Sequence, residues 1–158
     1  MKLREIMSDN VVRIHPEEPV SVAARALARY NIGALPVCGS DGRLQGVVTD
    51  RDLVTRCIAA GRSPEGTAVK ALMTSGVTAA GADMDASEAA RLMAQQQIRR
   101  LPIVENGRLV GVVSLGDLIR TSACDEEAGR ALAKITDNVS DRENPTLENA
   151  TKTNDEIC

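Results

Sequence analysis

Two short segments each place a hydroxyl and a carboxylate three residues apart, at the end of an apolar run. One contains Thr49 and Asp52, and the other contains Ser114 and Asp117. Such a pair can cap a helix, because the hydroxyl and the acid satisfy free N–H groups of the first turn. A carboxylate can also accept hydrogen bonds from two vicinal hydroxyls, such as those of a ribose. The two interpretations are compatible, since the hydroxyl can cap while the acid faces a cleft.

Three arginines near these segments are candidates for binding phosphate. Arg99 and Arg100 precede a Leu-Pro pair in the second half of the chain, and Arg51 lies inside the first motif. A guanidinium group suits phosphate because of its fork geometry and permanent charge. The alternative is that all three are solvated surface side chains.

Other reactive side chains form no recognisable constellation. The four cysteines (Cys38, Cys57, Cys124 and Cys158) have neither paired nor regular spacing, and His15 is the one histidine. A disulfide framework, a zinc site or a nucleophilic triad is therefore not expected. Without a base–nucleophile pair or a glycine-rich phosphate loop, the sequence predicts no catalytic residue, no metal site and no enzyme.

The two motifs belong to an internal repeat. A shift of 66 residues aligns Met7 with Met73 and the Leu35-Pro36 pair with Leu101-Pro102. After one residue is lost in a turn, a shift of 65 aligns the two motifs themselves. So many matches with a single gap indicate a tandem duplication.

Each copy is predicted to be a β-α-β-β-α unit. A short strand (residues 11–14 or 77–79) leads to a helix capped by Ser21 or Ser87. The buried helix faces are predicted from apolar positions: Val22, Leu27 and Tyr30 in the first copy, and Ala89, Leu92 and Met93 in the second.

The second half of each unit is predicted to be a hairpin followed by a helix. Strands over residues 35–38 and 101–104 lead into Gly-containing turns, and the chain returns over residues 44–49 and 109–114. The returning strands are apolar without alternation, which favours burial on both faces. The closing helices are expected to begin near Asp50 and Leu115.

Length and composition fit a folded protein that is either one compact domain or two small halves that share a core. The chain has 158 residues, is 43% hydrophobic and 26% charged, and carries a net charge of −3. The sequence shows neither an apolar run long enough for a membrane helix nor a signal peptide, so we expect a cytoplasmic protein. A negative charge and a single aromatic residue, Tyr30, argue against nucleic-acid binding.

Charge divides the chain into a body and a tail. Residues 125–158 carry a net charge of −5, which leaves +2 for residues 1–124. We predict a first repeat over residues 1–60, a linker over 61–68, a second repeat over 69–124, a short helix over 125–138 and a flexible acidic tail over 139–158.

The ordered set of motifs resembles the CBS domain, present twice as a Bateman module over roughly residues 1–123. The resemblance rests on Met7-Ser8 and Met73-Thr74, on Leu35-Pro36-Val37 and Leu101-Pro102-Ile103, and on the two Gly-Val-Val-(Thr/Ser)-x-x-Asp segments. It implies an α/β (α+β) fold in which two repeats pack around a pseudo-twofold axis and form two clefts.

The resemblance also implies adenine nucleosides or nucleotides as ligands. Thr49 and Asp52 would hold one ribose, and Ser114 and Asp117 the other. The adenine would lie between aliphatic side chains, near Val12 or Ile32 in one cleft and near Thr78 or Ile98 in the other. A nucleotide is expected to bind best where Thr49 and Asp52 meet Arg99 or Arg100.

The leading hypothesis is a stand-alone regulatory module that binds AMP, ADP or ATP (or S-adenosylmethionine or NAD) and signals to an unidentified partner protein. The alternative is a structural or interaction scaffold that keeps the fold without a ligand. By resemblance, two modules would form a homodimer through the closing helices, which carry Leu53, Val54, Leu118 and Ile119.

Overall fold

The structure is a computed structural model that describes residues 1–121 and 129–135. The first repeat contains α1 (Val20–Tyr30), β1 (Ala34–Cys38), β2 (Leu44–Thr49) and α2 (Asp50–Asp52), which continues as a π-helical segment, Leu53–Ile58. The second contains β3 (Ala80–Gly81), α3 (Ala86–Gln96), β4 (Arg100–Glu105), β5 (Arg108–Ser114) and α4 (Leu115–Arg120). Short 3-10 helices, Leu3–Glu5 and Val69–Ala71, lie at the start of the first and the second repeat. Residues 129–135 are helical, and the rest of the predicted 125–138 helix and the 139–158 tail lie outside the described residues.

Both predicted hairpins are confirmed. β1 pairs antiparallel with β2, and β4 pairs antiparallel with β5. Gly42 and Gly107 have φ values of 79° and 78° in the two turns, a backbone conformation that glycine adopts without steric cost. The closing helices begin at Asp50 and Leu115, as the sequence predicts.

The first strand of each repeat is shorter than predicted or displaced. In the first repeat, residues 11–14 give only a single parallel bridge between Ile14 and Val37. Pro16 follows closely, and because it has no N–H it cannot extend the pairing. In the second repeat, the strand predicted at residues 77–79 forms at Ala80–Gly81, where the chain first comes alongside β4.

The predicted serine caps are wrong in both repeats. Pro19 precedes α1, and the N–H groups of Val20 and Ser21 donate instead to the carbonyls of Thr67 and Pro64, both at 2.9 Å. In α3 the cap is Asp85, whose Oδ1 accepts a hydrogen bond from the N–H of Ser87 at 3.2 Å.

The buried faces of the helices differ in part from the prediction. In α1 the buried residues are Val20, Ala23 and Leu27, while Tyr30 is 51% exposed. In α3, Ala89 and Met93 are buried as expected, and Leu92 is half-buried against the same core.

The returning strands are not buried on both faces as predicted. Along β5, buried Leu109, Gly111 and Val113 alternate with half-buried Val110 and Val112. The edge of β5 opposite β4 pairs over a short stretch, through the bridge between Val112 and Ser8. The burial therefore has a period of two residues although the sequence does not.

The two repeats exchange their N-terminal segments. Leu3 is fully buried in the core of the second repeat, and Val69 and Leu72 are fully buried in the core of the first. The bridge between Ser8 and Val112 has its counterpart in the bridge between Val47 and Thr74. Such reciprocal contacts between equivalent positions are what a pseudo-twofold axis requires, and they make each core depend on both repeats.

Two glycines allow this exchange. A Cβ on Gly46 would lie 2.6 Å from the carbonyl oxygen of Thr74, and one on Gly111 would lie 2.7 Å from Sδ of Met7. Only a residue without a side chain lets the exchanged segments come so close to β2 and β5.

The hairpin turns also join the repeats. The N–H of Leu44 donates to the carbonyl of Gly107 at 3.1 Å, and the N–H of Leu109 donates to that of Gly42 at 3.0 Å. Arg43 adds a hydrogen bond from Nη1 to the carbonyl of Asn106 at 3.2 Å. The two hairpins are thus held in a fixed relation across the pseudo-twofold axis.

Candidate functional site

The first motif forms a complete capping box at the junction of β2 and α2. The N–H of Thr49 donates to Oδ2 of Asp52 at 2.9 Å, and the N–H of Asp52 donates to Oγ1 of Thr49 at 3.1 Å. The N–H of Asp50 donates to the carbonyl of Gly33 at 3.0 Å, which fixes the junction against the start of β1. The capping interpretation of the spacing is therefore confirmed for this pair.

The second motif has the same geometry. The N–H of Ser114 donates to Oδ2 of Asp117 at 2.8 Å, and the N–H of Asp117 donates to Oγ of Ser114 at 3.1 Å. The hydroxyl of Ser114 also donates to Oδ2 of Asp117 at 2.6 Å. The two motifs thus hold equivalent carboxylates in the same fixed geometry.

Each capping acid uses only one oxygen for the cap. Oδ1 of Asp52 lies 3.6 Å from Nε of Arg56, and Oδ1 of Asp117 accepts a hydrogen bond from the guanidinium of Arg120. The side chains of Asp52 and Asp117 are 13% and 26% exposed, so both carboxylates are reached from solvent on one side. Each acid therefore has one oxygen committed to the helix and one held by an exposed arginine.

Asp117 is held in its charged form. Partial burial opposes ionisation, but the hydrogen bonds from Ser114 and Arg120 outweigh it and keep the pKa of Asp117 below its ordinary value. A charged carboxylate is the stronger acceptor for hydroxyl donors.

Arg56 and Arg120 are functional candidates that the sequence interpretation missed. They follow Asp52 by four residues and Asp117 by three, a helical spacing that could have revealed them. Arg56 also donates from Nη1 to the carbonyl of Leu72 at 3.0 Å, so it connects the first acid with the segment that begins the second repeat.

The aliphatic residues predicted to contact adenine are half-buried. Val12 and Ile32 pack against the core of the first repeat, and Ile98 packs against the core of the second. Ile32 directly precedes Gly33, whose carbonyl accepts the N–H of Asp50, so it lies next to the first motif. Thr78 is half-buried two residues before β3. Each side chain therefore keeps a surface that a flat base could contact.

The three candidate arginines are exposed, and their backbone contacts place two of them beside the second motif. The carbonyl of Arg99 accepts the N–H of Leu115 at 2.9 Å, and Arg100 pairs with Ser114 across β4 and β5. Arg51 lies beside Asp52 in the first turn of α2. The predicted combination of Arg99 or Arg100 with Thr49 and Asp52 stays a prediction, whereas the described backbone contacts bring these two arginines next to Ser114 and Leu115.

Within residues 1–121 and 129–135, no group of three histidine, cysteine, aspartate or glutamate side chains could hold a metal ion. Over the same part of the chain, each helix is too short or too polar to cross a membrane.

Comparison with known proteins identifies the family. The CBS domain model matches twice, over residues 3–58 and 69–123. The chain belongs to the CBS domain family. A relative in Bacillus subtilis, the CBS domain-containing protein YhcV, is 39% identical over 134 residues, which cover 85% of this chain and 94% of YhcV.

Solved structures of CBS pairs have the same fold. Hypoxic Response Protein I, whose crystal structure holds two coordinated zinc ions, has a TM-score of 0.71 and 35% identity, and the match covers 76% of this chain and 98% of that one. CBSX2 in complex with AMP has a TM-score of 0.67 and 27% identity over 79% of this chain and 98% of its own. The CBS pair of MJ0100, in complex with 5'-methylthioadenosine and S-adenosyl-L-methionine, has a TM-score of 0.66 and 26% identity over 76% and 94%.

One relative is an enzyme, but this chain matches a small part of it. The inosine-5'-monophosphate dehydrogenase of Methanocaldococcus jannaschii is 31% identical over 136 residues, which cover 83% of this chain and 26% of the dehydrogenase. The similarity therefore concerns a minor part of that protein.

Proposed function

We propose that this CBS pair is a non-catalytic regulatory module that binds an adenine nucleoside or nucleotide and signals to a partner protein. The observation that carries the proposal is the pair of equivalent carboxylates, Asp52 and Asp117, each fixed by a capping box and each keeping one oxygen outside the cap. A cap alone requires one carboxylate oxygen, whereas a ribose diol needs a further acceptor at a defined position.

The ribose would bind at Oδ1 of each acid. In the first cleft its hydroxyls would replace Arg56 at Asp52, and in the second they would replace Arg120 at Asp117. Exposed ion pairs of this kind are weak, so their loss costs little. The arginine released in this way stays beside the ligand, where its guanidinium could bind a phosphate group.

The base and the phosphate would meet different side chains. Half-buried Ile32 and Val12 in the first cleft, and Ile98 and Thr78 in the second, offer the apolar contact that a flat base needs. Arg51, Arg99 and Arg100 are exposed cations next to the two motifs. AMP, ADP or ATP use all these groups, and S-adenosylmethionine or NAD shares the adenosine part. The AMP complex of CBSX2 and the S-adenosylmethionine complex of MJ0100 support this class of ligand.

Ligand binding and substitution of one acid test the proposal. At about a hundred times its dissociation constant, a ligand should raise the melting temperature by roughly 5–10 °C. Asp52→Ala should weaken binding by about 1.5–3 kcal/mol, roughly ten- to a hundredfold. The measurements are thermal shift and calorimetry with adenosine, AMP, ADP, ATP, S-adenosylmethionine and NAD.

Asp85→Ala is the matched control. Asp85 is the N-cap of α3, and Asp52 is the third residue of the capping box at α2, so each carboxylate accepts a backbone N–H at a helix start, but Asp85 does not belong to either motif. Both variants lose one such hydrogen bond, at a cost of about 1 kcal/mol. Only Asp52→Ala should change ligand affinity. If Asp52→Ala and Asp117→Ala both bind as the unaltered protein does, the acids are caps alone, and the ligand-free scaffold becomes the better interpretation.

A homodimer through the closing helices stays a prediction. Leu53 and Leu118 are 8% and 0% exposed, so they belong to the cores of their own repeats. Val54 and Ile119 are 59% and 38% exposed and remain available to a second copy. Light scattering tests this association. The cytoplasmic location expected from the sequence is likewise a prediction.

A further inference from the structure

The turn between β4 and β5 contains an asparagine followed by a glycine, Asn106 and Gly107, and both residues are exposed. In such a pair the backbone nitrogen of the glycine can attack the side-chain amide carbon of the asparagine, because glycine has no side chain to block the approach. Among residues 1–121 and 129–135, no group hydrogen-bonds to the side-chain amide of Asn106, and the N–H of Gly107 donates to no acceptor. Both reacting groups are therefore free.

The equivalent turn of the first repeat holds the same two groups in hydrogen bonds. It contains Asp41 and Gly42 between β1 and β2. The N–H of Gly42 donates to the carbonyl of Gly39 at 2.9 Å, and Oδ1 of Asp41 accepts the N–H of Arg43 at 3.1 Å. The two turns are thus related by the repeat, but only the second leaves its side chain and its backbone nitrogen available for reaction.

Arg43 reaches from the first repeat to the second turn. Its Nη1 donates to the carbonyl oxygen of Asn106 at 3.2 Å, and a Cβ on Gly107 would lie 3.0 Å from its Nη2. This carbonyl oxygen and the nitrogen of Gly107 belong to one peptide group, so a negative charge on the nitrogen is shared with the oxygen. A guanidinium that donates to the oxygen stabilises that anion, which is the nucleophile of the reaction.

We propose that Asn106 is a site of spontaneous deamidation, and that Arg43 promotes the reaction from the other repeat. Hydroxide removes the proton of the Gly107 nitrogen, and this nitrogen forms a bond to Cγ of Asn106. The bond from Cγ to Nδ2 breaks, and the nitrogen of the amide leaves as ammonia after it takes a proton from water. A second water opens the resulting succinimide ring at either of its carbonyl carbons, which gives aspartate or isoaspartate. No oxidant or reductant takes part, and the inference is independent of the proposed function.

The two products should affect the joint between the repeats differently. In isoaspartate the backbone runs through Cβ and Cγ of the former Asn106, so the turn gains a backbone atom. The carbonyl of Gly107 then moves relative to Leu44, whose N–H it accepts at 3.1 Å. The aspartate product has the same pair of residue types as Asp41 and Gly42 in the first turn, which this fold accommodates. We therefore expect isoaspartate to lower the melting temperature by a few degrees, and Asn106→Asp to change it little.

The test incubates the full chain in mildly alkaline buffer and follows each asparagine by peptide mapping with mass spectrometry. Asn106 should convert faster than Asn31, which has nearly the same φ, 51° against 52°, but precedes the branched Ile32. Arg43→Gln should slow the conversion of Asn106 by about tenfold, because the reacting peptide loses a charge-assisted hydrogen bond. Arg108→Gln is the matched control, since Arg108 is the repeat equivalent of Arg43 and pairs with it in a β-bridge. It removes the same charge and should leave the rate unchanged.

Arg43→Lys is a second variant, because it keeps a cationic donor and should retain most of the rate. Three results would overturn the proposal. The first is that Asn106 converts no faster than Asn31, and the second is that Arg43→Gln and Arg108→Gln react at the same rate. The third is faster conversion in Arg43→Gln, since the arginine then shields the turn instead of activating it. Both arginines are exposed, so the fold should tolerate either change, and thermal melts of the fresh proteins check this.

Discussion

The exchange of N-terminal segments predicts that damage in one repeat destabilises the other. Leu3 belongs to the first repeat in sequence, yet it is fully buried in the core of the second. Leu3→Ala leaves a cavity in the core that also contains Met93 and Leu101, and large-to-small changes at buried sites cost about 2–5 kcal/mol. Against a total stability of about 5–15 kcal/mol, this is a large fraction.

The assay is chemical denaturation combined with hydrogen exchange. Denaturation should give a loss of about 2–5 kcal/mol, and the first amides to lose protection should be those of β4 and β5. Leu72→Ala should show the reverse pattern, because Leu72 is buried in the core of the first repeat beside β1 and β2. Val54→Ala is the control, since Val54 is 59% exposed and its truncation should cost little. Loss of protection in the repeat to which each leucine belongs by sequence would refute this account of the core.

Three further predictions concern a closely packed glycine, the pKa of a capping aspartate and an arginine proposed to bind phosphate. Gly46→Ala should destabilise the protein in thermal melts, because its Cβ would lie 2.6 Å from the backbone carbonyl oxygen of Thr74, which cannot move aside as a flexible side chain can. Gly81→Ala, with open space around the position, should cost much less, and equal costs would contradict the close packing. Because the pKa of Asp117 is lowered in the folded protein, its contribution to stability is complete above the unfolded pKa and is lost as pH falls through the lower folded pKa. In Asp117→Asn, the free energy of unfolding should therefore depend less steeply on pH below about pH 4 in acid denaturation. Arg100→Ala should weaken AMP binding in calorimetry and leave the affinity for adenosine unchanged. Equal losses of affinity for both ligands would exclude a role of Arg100 at the phosphate.

The sequence predicted those elements whose signals are local. Both hairpins and the starts of the closing helices depend on turn residues and on a hydroxyl–acid pair, which act within a few residues. The Ser21 cap was wrong because the N–H groups of Val20 and Ser21 donate to carbonyls of Thr67 and Pro64, and partners so far along the chain leave no mark in the local pattern. The Ser87 cap was wrong for a local reason, since Asp85, two residues earlier, is the cap.

The exchange of segments could not be read from the repeat. A tandem duplication is equally consistent with each copy completing its own core. The glycines at positions 46 and 111 record the close contact, but a glycine in a strand also marks bulges and bends. Only the reciprocal bridges between Ser8 and Val112 and between Val47 and Thr74 show which segment each strand receives.

The site itself is ambiguous in sequence because one residue type serves two purposes. An aspartate three residues after a Thr or Ser is what a capping box requires and also what a ribose acceptor requires. The structure separates the purposes by atom: Oδ2 of Asp52 accepts the N–H of Thr49, while Oδ1 faces Arg56. A ribose that bound at Oδ1 would leave the cap intact and would take Asp52 away from Arg56, which also holds the carbonyl of Leu72. The first cleft is thus connected to the segment entering the second repeat through a single arginine, whereas the cap at Asp85 offers a ligand no such path.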